Sequence, residues 1–138
     1  MKRLLVLLVA IITFGCFIPG CSSGTEVVFT CDDFAKQQNL DAQVTLAPGE
    51  TTTVTLCSNA STGFSWDETA KIGDINVLKQ TGYKSISSEK NMPGAAGKQE
   101  WTFTALKPGT TTAYVEYSRP WEGGEKGVWT FTLTVTVK

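Results

Sequence analysis

An antiparallel β-sandwich of about seven strands is the fold this sequence predicts, on three observations. From Asp41 onward apolar and polar residues alternate with a period of two, as they do when a strand has one buried and one wet side. Turn residues separate the alternating runs, so the strands are many and short, which favours an all-β domain over βαβ units. Beyond the first 20 residues no stretch carries helical periodicity.

The strands follow in order at 42–47, 51–57, 64–70, 75–81, 98–106, 111–118 and 128–137. The last is the clearest. Trp129, Phe131, Leu133, Val135 and Val137 share one face, and Thr130, Thr132, Thr134 and Thr136 share the other. Val44 and Leu46, Val54 and Leu56, Phe64 and Trp66, Trp101 and Phe103, and Ala113, Val115 and Tyr117 repeat the pattern. The run from Ile75 to Gln80 is the least regular. Seven such strands make an immunoglobulin-like sandwich. The hallmark cysteine pair of that fold is missing, so the likeness is one of architecture.

Composition narrows the function. The 138 residues suffice for one domain, and 41% are hydrophobic, enough for a packed core. Histidine is absent, which removes Ser-His-Asp and Cys-His nucleophilic pairs and the commonest metal ligand. The four cysteines show no Cys-x-x-Cys spacing, so neither a zinc site nor any other metal or cofactor is implied. A carboxylate-dependent hydrolase would need two converging acidic residues, and Glu122 and Glu125 are only loop neighbours.

The first 20 residues read as an export signal. Met1-Lys2-Arg3 supplies positive charge, and Leu4 to Ile18 is an almost unbroken apolar run, short for a membrane span. The following Gly20-Cys21-Ser22-Ser23 has the pattern of a bacterial lipoprotein signal, in which Cys21 becomes the lipidated first residue; a plain secretory signal is the alternative, and Gly15-Cys16 a second cleavage candidate. The expected location is the cell envelope, lipid-anchored to the membrane, with a secreted or periplasmic protein as the alternative. Removal of this segment leaves a net charge of −3 with no basic patch, so nucleic acid is not an expected partner, and membrane only through the anchor. Cys31 and Cys57 remain, and in an oxidising compartment the economical reading is a disulfide; two buried free thiols are the alternative. Residues 21–40 are read as an N-terminal linker or segment and 41–138 as the domain.

The turns distinguish two ends. Leu46-Ala47-Pro48-Gly49-Glu50-Thr51-Thr52 is echoed by Leu106-Lys107-Pro108-Gly109-Thr110-Thr111-Thr112, and Pro-Gly suits a tight type II turn. These connections follow the first and fifth strands. In an up-and-down order the even connections, 58–63, 82–97 and 119–127, lie together at the opposite end. They hold Asn59-Ala60-Ser61-Thr62-Gly63, Pro93-Gly94-Ala95-Ala96-Gly97 and Arg119-Pro120-Trp121-Glu122. Each taken alone reads as an ordinary turn or a flexible tip; three loops fixed side by side on a rigid sheet read as a binding surface. The long 82–97 connection exceeds what structure alone needs.

Asn59 to Trp66 after the second strand, a glycine-rich middle loop and Arg119-Pro120-Trp121 before the last strand resemble the chagasin family, over about residues 41–138. Ala60 stands where that family favours proline, Ser61 where it favours threonine, and Ala96 where the middle loop usually carries a glycine. The resemblance implies an immunoglobulin-like sandwich that reversibly inhibits papain-like cysteine peptidases and is not an enzyme. It implies that Ser61, Thr62 and Gly63, with Asn59, Ala60 and Phe64 around them, enter the peptidase cleft at the catalytic cysteine. Arg119, Pro120 and Trp121 would flank the cleft, with Trp121 as aromatic anchor. Gly94, Ala95, Ala96 and Gly97 would meet the other wall through backbone. A monomer is expected. The competing reading is a non-inhibitory envelope module, for binding or adhesion, that uses the same loops on glycans or another protein.

Overall fold

The structure, a computed structural model, describes residues 24–88 and 95–138. The export signal, Cys21 and Gly94 lie outside the described residues. The described elements are β1 (Thr25–Phe29), α1 (Cys31–Lys36), β2 (Asn39–Leu46), β3 (Thr51–Ser58), a 3-10 turn (Ala60–Thr62), β4 (Ser65–Trp66), β5 (Lys71–Ile72), β6 (Leu78–Ile86), β7 (Gly97–Ala105), β8 (Gly109–Ser118) and β9 (Trp129–Val137). One sheet runs β1-β3-β7-β6; the other runs β2-β9-β8-β4, with β5 also paired to β8. This is the expected immunoglobulin-like sandwich. Its central pairings are antiparallel, while β1 joins β3 and β2 joins β9 in parallel.

The alternation seen in the sequence becomes burial. Val54, Leu56, Trp101, Phe103, Leu133 and Val135 point between the sheets and are buried. The threonines of β9 lie half-buried on its other face. The registers fix the two ends. The start of β3 and the end of β7 lie together, as do the start of β8 and the end of β9. The turns at 47–50 and 106–108 therefore share one end, the turn end. Residues 59–64 and 119–128 share the other, the loop end, with 87–88 and 95–96 of the middle loop.

Four local expectations are corrected. Residues 25–36, read as part of a linker segment, form β1 and α1. Helix α1 spans six residues, too few to show a period. Its signal is the cap, where Thr30 Oγ1 accepts from Asp33 N and the Asp33 carboxylate accepts from Thr30 N at 2.8 Å. The strand expected over 64–70 is reduced to β4. Beyond it the backbone is held by side chains: Gln80 accepts from Ala70 N and donates to Glu68 O, and Trp101 Nε1 donates to the carbonyls of Asp67 and Glu68. The strand expected over 75–81 starts at Leu78 and runs to Ile86, because Asp74 to Val77 forms a turn closed by Val77 N to Asp74 O, 3.2 Å. The middle loop is accordingly shorter than 82–97.

Candidate functional site

The first loop is locked by its own polar groups. Asn59 caps the 3-10 turn, its Oδ1 accepting from Ser61 N at 3.3 Å and Ser61 Oγ at 2.6 Å. Thr62 N and Thr62 Oγ1 both donate to Asn59 O, at 3.2 and 2.7 Å, and Gly63 N donates to Ala60 O at 3.1 Å. Ala60, Ser61 and Thr62 are left exposed on a convex turn. The hydroxyls of Ser61 and Thr62 thus both donate within the loop, and Thr62 Oγ1 also accepts from Phe64 N at 3.4 Å. Gly63 ends the turn in the left-handed region, φ 81°, where glycine alone is unstrained.

Gly63 also makes room for the third loop. A Cβ placed there would stand 2.5 Å from Trp121 Cη2, so the indole of Trp121 rests against the glycine while 52% of the residue stays exposed. Arg119 clasps the two loops. Its guanidinium lies 4.5 Å from the Phe64 ring centroid and 5.9 Å from that of Trp121. Its Nε and Nη2 each lie 3.4 Å from Thr62 O, and Nη1 pairs with Glu125 at 3.5 Å. The Lys126 ammonium holds the third loop from within, donating to the carbonyls of Arg119 and Trp121.

Beneath this clasp the aromatic rings form a continuous stack. Phe64 lies 5.4 Å from Tyr117, Tyr117 4.7 Å from Trp129, and Trp129 5.0 Å from the buried Phe34 of α1, with interplanar angles of 25°, 9° and 16°. Tyr117 OH accepts from Asn59 N at 2.9 Å. Phe64 is half-buried under Arg119, so it positions the loops rather than presenting itself.

A second set of ties fixes the strand ends. Cys31 and Cys57 form a disulfide, fastening the start of α1 to the residue two before Asn59. Across a separation of 26 residues such a bridge stabilises by about 3 kcal/mol in the chain-entropy model. The side chain of Gln99 is buried between the sheets. Its Oε1 accepts from Ser58 Oγ at 2.7 Å and Trp66 N at 2.9 Å, and its Nε2 donates to Trp66 O at 3.2 Å and Tyr83 OH at 2.7 Å. Burial raises the Tyr83 phenol above its ordinary pKa, with the Gln99 hydrogen bond pulling the other way and the Glu68 charge adding to the rise. The first loop and the base of the middle loop therefore share one buried amide.

Of the middle loop, Ala95, Ala96 and Gly97 are described. Gly97 opens β7 opposite Ser58, beside the first loop. A Cβ on it would run into the carbonyl oxygen of Ile86, so this glycine closes the hairpin base. Ala96 is the exposed member. The structure thus brings the first and third loops into contact and sets the middle loop next to the first. Sequence reasoning missed Gln99, Tyr117 and the Phe34 helix. Gln99 carried a signal, being a polar residue in phase with Trp101 and Phe103 on the inward face of its strand.

A family model described as Chagasin family peptidase inhibitor I42 matches residues 45–135. The chain belongs to the chagasin family. Amoebiasin-2 of Entamoeba histolytica is 33% identical over 85 residues, 62% of this chain and 68% of that protein. Chagasin of Trypanosoma cruzi is 29% identical over 94 residues, 67% and 86% of the two chains. Among solved structures, a cysteine protease inhibitor of Entamoeba histolytica superposes with a TM-score of 0.61 at 22% identity, covering 84% of this chain and 98% of that one. PbICP-C, solved in complex with falcipain-2, gives 0.61 at 21% identity over 81% and 99%. At those identities the structural likeness bears on the fold. Membership in the family makes the chain a peptidase inhibitor and not an enzyme.

Proposed function

We propose that this chain is an exported, lipid-anchored inhibitor that reversibly blocks the cleft of papain-like cysteine peptidases with its three loops. The observation that carries this reading is the Arg119 clasp, which joins an exposed 3-10 turn to a half-exposed tryptophan on one rigid edge. A peptidase of this class attacks a carbonyl carbon with a thiolate, and the attack needs an extended peptide in near-attack geometry. Residues 60–62 offer instead a tight turn in which Ser61 N, Thr62 N and Ala60 O are bonded within the loop and Thr62 O accepts from Arg119. Such a turn fills a narrow cleft without laying a peptide bond along the attack line. Trp121, stiffened by Pro120 and braced on Gly63, is suited to anchor on the cleft wall with little entropy to lose. Gly94, Ala95, Ala96 and Gly97 would close the other side through backbone.

All three loops belong to one chain, so a monomer is a complete inhibitor. The anchor rests on Gly20-Cys21 at the end of the apolar run. Titrating papain activity with the mature domain tests the reading. Competitive inhibition is expected, with serine and metallo-peptidases untouched. No inhibition of several papain-like enzymes at micromolar protein would replace it with the binding-module alternative.

A further inference from the structure

The turn end has no part in that reading, yet two of the large apolar side chains exposed among the described residues collect there. Ile75 is 72% exposed at the tip of the Asp74–Val77 turn, and Leu106 is 40% exposed. Leu106 N donates to Val77 O at 2.8 Å, so the two turns are neighbours. Lys107 follows Leu106, and Lys138 closes the same end through its N–H to Leu46 O. Of the acidic groups there, Asp74 and Glu50 spend a carboxylate oxygen each on a backbone N–H of their own turn, Asn76 and Ala47 respectively, while Glu26, opposite Thr53 on β1, is exposed.

The chain also enters the fold at this end. Thr25 is the register partner of Thr52, and Gly24 lies beside Thr51. Cys21 is four residues before Thr25, a reach of about 14 Å at most. The 3-10 turn and Trp121 stand at the far end of β3, which at about 3.3 Å per residue is roughly 26 Å away.

We propose that the turn end is a membrane-facing foot, with Ile75 and Leu106 seated at the lipid headgroup boundary and Lys107 and Lys138 among the headgroups. The proposal rests on the reading of Cys21 as lipidated. Two apolar side chains would not hold a free protein on a bilayer. A tether of four residues makes the contact intramolecular, at an effective concentration in the millimolar range, where weak contacts are populated. Apolar tips flanked by lysines suit that boundary, since the lysine stems lie on apolar surface and the ammoniums stay in water. The consequence is orientation. The three loops point away from the bilayer, toward a peptidase arriving through the aqueous compartment.

The test uses the mature chain from Cys21 with its native disulfide intact, which leaves Cys21 as the single thiol. It is coupled to vesicles of phosphatidylethanolamine and phosphatidylglycerol through a maleimide lipid. Lysine acylation is then read by mass spectrometry against uncoupled protein. Lys107 and Lys138 should be protected several-fold, Lys98 and Lys126 at the loop end should not, and the double variant I75S/L106S should lose the protection. Equal protection at both ends, no protection anywhere, or protection that survives the double variant overturns the foot. Because the coupling is chemical, this outcome is independent of the lipid on native Cys21, which the mass of the N-terminal peptide from membrane-extracted protein reports separately.

Discussion

At the turn end, the connection at 47–50 closes through Glu50 N to Ala47 O at 3.0 Å, and its neighbours are tied by Gly49 N to Ala105 O and Ala105 N to Glu50 O. At the loop end, backbone pairing gives way to side chains. Tyr117, Gln99, Trp66, Arg119 and the Cys31–Cys57 bridge each tie one element to another. A turn whose only task is to reverse the chain can be made from proline, glycine and main-chain bonds. Loops that must hold a shape against a partner need their ends fixed from several directions, and buried polar groups supply directional ties that apolar packing lacks. Both ends are legible as turns in the sequence, but only one has a buried network beneath it.

The largest expected effect lies between the two ends and sets their common baseline. Trp101→Ala empties a buried indole site and frees the carbonyls of Asp67 and Glu68. It should destabilise the fold by about 3–5 kcal/mol in denaturant unfolding, while the fraction still folded inhibits as before. Loss of inhibition without loss of stability would move Trp101 out of the core role.

Next comes the direct contrast of the ends. Gln99→Leu leaves Ser58 Oγ and both backbone groups of Trp66 short of partners, and should cost about 2–4 kcal/mol of stability and weaken inhibition as well. At the turn end, Thr111→Val removes the acceptor of Asp74 N at 2.7 Å. It should cost about 1 kcal/mol and leave the inhibition constant unchanged. Equal effects of the two variants on inhibition would break the comparison.

These residues also mark what the sequence could and could not tell. Strands with a strict period of two, such as β9, were legible because one face is wet and the other dry. The clustering of the three loops followed from counting strands. The boundaries near Asp67 and Asp74 were not legible, because Gln80 and Trp101 hold that backbone from distant positions. Nor was α1, whose six residues are held by a cap, a disulfide and one phenylalanine. At the site, motifs marked what is exposed: Ser61, Thr62 and Trp121. The supports came from partners distant in the chain, Asn59 with Tyr117 and Ser58 with Gln99, which no local pattern announces.

Within the loop end, Trp121→Ala separates presentation from support. The ring is half-exposed and contacts Gly63 and Arg119, so its loss should weaken binding to papain by about 2 kcal/mol or more and leave the melting temperature nearly unchanged. A collapsed fold with undiminished inhibition by the folded fraction would make Trp121 a core residue and remove the anchor from the three-loop reading.

The smallest effect concerns the cap of α1, the most exposed of the loop-end supports. The Asp33 carboxylate accepts from Thr30 N and Thr30 Oγ1 at 2.8 and 2.9 Å. These bonds, with a smaller contribution from Lys36, hold its pKa below the ordinary value against a slight opposing effect of burial. A depressed folded-state pKa means that the ionised cap stabilises the fold above the ordinary carboxylate range, near 3.9 for an unfolded aspartate. That contribution is lost as pH falls through the lowered folded-state value. Asp33→Asn should therefore melt slightly below the wild type at neutral pH, with the gap closing as pH falls below about 4. A gap that stays constant down to acid pH would show that the cap acts through geometry alone. Inhibition at neutral pH should be the same for both proteins, because the disulfide and Phe34 keep the helix in place when its cap is weakened.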